Sequence, residues 1–152
     1  MKITEHFTLA EAEHSDTAKN KNINNTIPEN LKSNLLRMCN FLEEVRSIFN
    51  LPIRIMSFYR NEELNKLVGG SKNSAHKDCR ACDFNVHGKF PHTVFDALRD
   101  SDLQFDQLIL ESSSSGSTWI HIAIAKDGET PRRSVLYGNK TKDGSLFRVA
   151  NG

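Results

Sequence analysis

Little in this sequence points to a disulfide scaffold, a membrane protein or a nucleic-acid binder. Its three cysteines, Cys39, Cys79 and Cys82, are an odd and sparse set among 152 residues, too few for a disulfide framework. No apolar run approaches the roughly 20 residues needed to span a bilayer. The opening Met1-Lys2-Ile3-Thr4-Glu5-His6-Phe7 lacks the apolar stretch of a secretory signal. Synthesis in the cytoplasm, with reduced thiols and no membrane contact, is therefore expected. The formal net charge is +1, from 20 basic and 19 acidic side chains, which gives no basic field for nucleic acid. The charged share of 26% and the hydrophobic share of 38% are those of an ordinary folded chain. One domain spanning residues 1–152, monomeric and with one hydrophobic core, is the expectation.

Helical signals come first. Thr8-Leu9-Ala10-Glu11 is a capping box for a short helix, and the asparagine-rich stretch from Lys19 to Asn25 reads as a loop. Thr26-Ile27-Pro28-Glu29 opens a longer helix, with proline near the first turn. Its stripe is Leu31, Leu35, Met38, Leu42, Val45 and Phe49. Asn50-Leu51-Pro52 ends it. Ile53 to Met56 reads as a strand, Asn61 as the cap of a helix to about Val68, and Gly69-Gly70 as its stop.

Strand signals dominate the second half. Ala81 to Val86 reads as a strand and Pro91 to about Arg99 as a helix. Gln107 to Glu111 and Trp119 to Ala125 read as strands joined by the serine-rich loop Ser112 to Thr118. Ser134 to Tyr137 is a last short strand, and residues from about 138 read as a polar, frayed tail. Helices followed by strands predict an α+β domain with a mainly antiparallel sheet and helices packed on it.

The chemistry gathers in two places. His76 and Asp83 have six residues between them, and His121 sits in the strand Trp119-Ile120-His121-Ile122-Ala123-Ile124. Alternation puts the three isoleucines on the core face, so His121 points with Trp119 and Ala123 towards a cleft or ligand. Two imidazoles and a carboxylate are the donor set of a hydrolytic zinc site. They give three protein ligands and leave a fourth position for water, whose pKa zinc lowers towards neutrality. Such a site needs a carboxylate as proton acceptor. With Ser112 to Thr118 as the hairpin loop, Glu111 pairs with Trp119 and Ile109 with His121. Glu111 and His121 then share a face, within reach of a diagonal neighbour, and a one-residue slip would turn Glu111 away.

These residues, with Ser57-Phe58-Tyr59-Arg60, Leu64 to Ser71, Ser74-Ala75-His76, Asp83-Phe84, Phe105 to Glu111 and Trp119-Ile120-His121, resemble a known family. It is that of the zinc D-alanyl-D-alanine carboxypeptidases and L-alanyl-D-glutamate endopeptidases, and the short phage-type members look most similar. The likeness runs from about His6 to Tyr137. It implies a Hedgehog-like metallopeptidase fold and one zinc ion per chain at His76, Asp83 and His121. It also implies peptidoglycan peptides as substrate and a substrate-orienting role for Arg60, whose guanidinium stays charged and presents a planar fork of donors. An enzyme of this kind acts on the cell wall after release, as endolysins do. A catalytically inactive zinc module that binds wall peptides or a protein partner is the alternative. Many relatives carry an acidic residue three positions before the last histidine, where this chain has Thr118, so Glu111 is the base expected here. Relatives also commonly carry glycine where Cys79 stands.

Plainer roles compete at each position. His6, His14, His87 and His92 default to structural roles, and Asp83 could simply pair with an arginine. Arg60 could be a surface ion-pair partner and Trp119 core filler. Substrate contact is expected of Arg60, Ser74 and Trp119, the last through its shared face with His121. The C-x-x-C of Cys79 and Cys82 could signal structural zinc or redox chemistry, but only Cys39 remains as a further thiol ligand.

Overall fold

The computed structural model describes residues 1–141 and 144–150. Two short helices, α1 (Leu9–Glu13) and α2 (Asp16–Asn20), lead to a 3-10 turn at Glu29–Leu31 and the long helix α3 (Lys32–Phe49). Then come β1 (Ile53–Ser57), α4 (Glu62–Leu67), a 3-10 turn at Ala75–Asp78, β2 (Ala81–Val86) and α5 (Pro91–Arg99). The chain finishes with β3 (Gln107–Ser113), β4 (Thr118–Ala123), β5 (Ser134–Thr141) and β6 (Gly144–Val149). Among the described residues no helix is long and apolar enough to cross a membrane.

Local chemistry explains the helix ends. The capping box forms as expected, with Thr8 Oγ1 accepting from the Glu11 amide while Glu11 accepts from the Thr8 amide. Asn61 accepts from the Leu64 amide and starts α4, and Gly69 follows that helix at a φ of +73°, the left-handed geometry glycine takes most easily. Helix α3 ends on Asn50, also left-handed at φ +52°. The Lys19–Asn25 loop begins two residues late, because α2 runs through Asn20 under a Ser15 cap.

The six strands lie in the order β1-β2-β4-β3-β5-β6, antiparallel except for the parallel pair β3–β5. One face packs against the helices. Phe84, Leu108, Ile120 and Ile122 from the sheet share one core with Leu35, Met38 and Leu42 of α3 and Val94, Phe95 and Leu98 of α5. Each such side chain, fully buried, contributes about 1.5–3 kcal/mol. This is the expected α+β arrangement of a mainly antiparallel sheet with helices on it.

Two expectations need correction. The serine-rich loop is shorter than Ser112–Thr118, because Ser112 pairs with Thr118 and extends the hairpin. Among the described residues, those from about 138 form no frayed tail. β5 continues to Thr141 and β6 returns antiparallel along it, from Leu136↔Val149 to Thr141↔Gly144. Parallel pairing of β5 on β3 supplies the backbone partners that the polar composition of this stretch conceals.

Candidate metal centre and its cleft

The sheet face opposite the helices carries the chemistry. Antiparallel pairing of β2 with β4 sets Asp83 directly across from His121, and β3 on the other side sets Ile109 across from His121 and Glu111 across from Trp119. The register inferred for the β3–β4 hairpin is thus the one observed. His76 arrives from the 3-10 turn before β2. Ser74 caps that turn by accepting from the His76 amide.

Three donor atoms converge. Asp83 Oδ1 lies 3.2 Å from His76 Nε2 and 2.9 Å from His121 Nδ1. Among the described residues these three side chains are the one grouping able to hold a metal ion, with ligand atoms within 4.8 Å of one another. The donor set itself fits a cation. His76 Nδ1 lies 2.6 Å from the Phe58 carbonyl, which can only accept, so that nitrogen carries a proton. A neutral His76 then turns the lone pair of Nε2 on Asp83, and two acceptors face each other unless a positive ion lies between them. A carbonyl partner of this kind fixes the tautomer of a metal-binding imidazole.

Electrostatics agree. Burial lowers the pKa of His76 and favours the neutral ring, although Asp83 pulls the other way. Burial alone would raise Asp83, but positive charge and donated protons from the imidazoles facing it, the role a bound cation would take over, hold its carboxyl well below the usual carboxylate range. Glu111 is the contrasting group. Burial first, then the charge of Asp83, raise its pKa, against the pull of His121, Lys140 and Arg60. Its Oε1 stands 4.0 Å from His121 Nδ1. A carboxylate kept apart from the ligands and shifted upwards has the character of a proton-transfer group.

Arg60 is only 9% exposed. Its backbone amide donates to the His76 carbonyl, its terminal Nη2 donates to Ser74 Oγ over 3.4 Å, and its buried Nε finds no partner among the described residues. Burial lowers its pKa, offset by Asp83 and Glu111. A buried guanidinium with an idle donor is a ready receptor for an oxygen of a ligand.

All these groups line one cleft of about 670 Å³, bounded also by Gly69 and Gly70 on one side and by Lys140 and Phe147 on the other. Trp119 departs from expectation. It shares the face of Glu111, but it sits one side-chain step beyond His121 towards the hairpin turn, about 7 Å along the strand. It is not among the residues lining the cleft, and its indole N–H is buried without a partner among the described residues. Lys140 and Phe147 were hidden in the supposed tail. The only local signal there is the β-favouring content of Phe147 and Val149 beside Leu146, without the alternation that marks a half-buried strand.

The sequence model of the Peptidase M15 family matches residues 5–123. The chain belongs to that family. No curated protein matched it. As an M15 protein it is a metallopeptidase of a zinc-dependent family, and its matched segment contains His76, Asp83, Glu111 and His121. Cys79 holds the left-handed conformation at φ +61°, the geometry that glycine takes most easily. All three cysteines are free and buried. Burial pushes the Cys39 and Cys79 thiols up to about 12 and that of Cys82 well above its ordinary value. Buried thiols shifted in this direction are weak nucleophiles, which argues against a redox C-x-x-C.

Proposed function

We propose that this M15 metallopeptidase hydrolyses peptide bonds of bacterial peptidoglycan, as a carboxypeptidase or endopeptidase that reaches the wall after release from the cell making it. One zinc ion is held by His76, Asp83 and His121. The convergence of two imidazoles and a carboxylate in a cleft, with Glu111 beside them and outside the ligand set, carries the reading.

Bound zinc supplies a positive centre that activates water and polarises the scissile carbonyl. Glu111 accepts a proton from the attacking water at a carboxylate oxygen. It returns that proton to the amide nitrogen as the new C–O bond forms and the C–N bond breaks. Its raised pKa suits both halves of that transfer. Arg60 offers its idle donor to a carbonyl or carboxylate oxygen of the peptide and fixes the substrate's direction, while Ser74 steadies the guanidinium. The burial of Arg60 and Glu111 beside the donor cluster favours an enzyme over a zinc module that only binds.

Zinc-loaded protein should release peptide fragments from purified cell walls, and mass spectrometry of those fragments identifies the bond cut. His121→Ala should lose both stoichiometric zinc and wall hydrolysis. Retained hydrolysis in that variant would sink the mechanism. Stoichiometric zinc in the parent with no hydrolysis of any wall preparation would favour the non-enzymatic module.

A further inference from the structure

The β5–β6 hairpin lies beyond the segment that the family model matches, yet it forms one side of the cleft. Register fixes which of its residues face the chemistry. Glu111 pairs with Gly138, and Gly138 pairs in turn with Phe147, so Phe147 lies on the same face as Glu111. Lys140 is the next residue of β5 on that face, one side-chain step from Gly138.

Gly138 is glycine for a reason of space. A Cβ built there would stand 3.0 Å from the Phe147 ring and 3.1 Å from Ile109 Cγ2. The ring therefore leans across the bare backbone towards Ile109, the cross-strand partner of His121. Phe147 nevertheless remains 53% exposed and lines the cleft. An aromatic plate held in place from below and open above has a free face for an aliphatic ligand group.

Lys140 adds a charge to that plate. Two other basic groups of the cleft are committed, Arg80 to Asp78 and the Ile124 carbonyl and Arg132 to Asp106, while Arg60 keeps its idle donor at the metal-side turn and Lys126 is exposed. Lys140 is half-buried and makes no side-chain hydrogen bond or ion pair among the described residues, although it stands close enough to Glu111 to act on it electrostatically. A half-buried ammonium without an ion-pair partner among the described residues is placed to receive an anion.

We infer that the β5–β6 hairpin is a substrate-selecting arm, in which Phe147 covers an aliphatic stretch of the peptide and Lys140 pairs with a free carboxylate on the same peptide. The inference rests on the peptidase reading above and names the substrate class it selects, a wall peptide carrying a free carboxylate near the scissile bond. Lys140 and Phe147 here are positioning residues that set specificity.

The test uses the zinc-loaded protein and two stem-peptide fragments that differ only in a free or amidated carboxylate. Binding is measured by calorimetric titration, and KM and kcat are measured alongside. The parent should prefer the free carboxylate by about tenfold, the scale of one charge-assisted hydrogen bond. Lys140→Gln should erase that preference, with the loss falling on KM for the free-carboxylate peptide and zinc content unchanged. Phe147→Ala, checked by circular dichroism for an intact fold, should weaken both peptides about equally. A preference that survives Lys140→Gln overturns the inference. So does an equal loss on both peptides accompanied by a shifted pH profile, which would make Lys140 a tuner of Glu111. Wall hydrolysis by the parent, scored in the same preparation, separates the two readings. If walls are cut but neither fragment is discriminated, the arm alone is wrong. If walls are not cut and no fragment binds, the peptidase reading falls with it.

Discussion

Strand β4 carries opposite loads on its two sides. Ile120 and Ile122 are wholly buried against α3 and α5. His121, between them in sequence, faces a carboxylate at 2.9 Å and a second imidazole whose ring centroid is 5.2 Å away. β2 repeats the division, with Cys82 and Phe84 in the core and Asp83 in the cleft. The apolar side gains free energy from burial, and the polar side crowds groups that repel or compete unless a cation joins them. Stability and reactivity are thus separated by a single residue step, so substitutions on the two sides should fail in different ways.

The largest effect is expected from the polar side. Glu111→Gln keeps the size and hydrogen-bonding capacity of the side chain but removes the proton acceptor. Hydrolysis should fall by roughly 10²–10⁴-fold, with zinc content unchanged and a melting temperature no lower than the parent's, since a buried carboxylate beside Asp83 has been neutralised. A large drop in melting temperature would mean that the polar side also carries stability, and the division would fail.

Ile120→Ala makes the opposite test. It should cost about 2–5 kcal/mol of folding free energy, from lost burial and a residual cavity, visible in denaturant unfolding. The folded fraction should keep its kcat, because Glu111 and His121 are held by strand pairing rather than by the isoleucine. Loss of kcat without loss of stability would show that core packing on one side is transmitted to the chemistry on the other.

How much of this division could be read from the sequence depends on distance along the chain. The parity of His121 and its register with Ile109 and Glu111 were legible because β3 and β4 are neighbours joined by a serine-rich turn, and the isoleucines mark the core side. The pairing that sets Asp83 opposite His121 joins residues 38 positions apart, and no local pattern encodes which strands become neighbours. β6 was missed for another reason. It is an edge strand whose Leu146, Phe147 and Val149 are all exposed, so neither face shows the apolar alternation of a half-buried strand. Trp119 was put in the cleft by correct parity, but parity fixes the face and not the position along it.

Cys79 sharpens the comparison at the turn linking His76 to Asp83. Its thiol belongs to the core, while its backbone takes the left-handed conformation. Cys79→Gly relieves the backbone and loses the thiol's contacts, so the two effects should nearly cancel, leaving stability within about 1 kcal/mol. Cys79→Val should be worse by about 1–3 kcal/mol, because a β-branched residue resists positive φ. Equal stabilities for the two variants, compared by denaturant midpoint, would mean that the backbone conformation is not what limits this position.

The smallest effect concerns a polar residue of the cleft whose work is structural. Asp106, at the foot of β3, accepts from Arg132 Nε at 3.1 Å, Nη2 at 2.9 Å and the Arg132 amide at 3.1 Å. Hydrogen bonds from the Arg132 side chain hold the Asp106 carboxyl below its ordinary value, against the upward push of burial. A folded pKa below the unfolded one contributes stability that is fully present above the unfolded value of about 3.9. That stability is lost as pH falls through the folded value. Arg132 is about two-thirds exposed, so solvent screening limits the pair to about 1 kcal/mol or less. Asp106→Asn should therefore be slightly less stable than the parent at pH 5–7, and the two unfolding curves should converge as pH drops below 3. High salt should narrow the gap at neutral pH. A gap that widens in acid would assign the stabilisation to the protonated carboxyl and reverse the sign of the linkage.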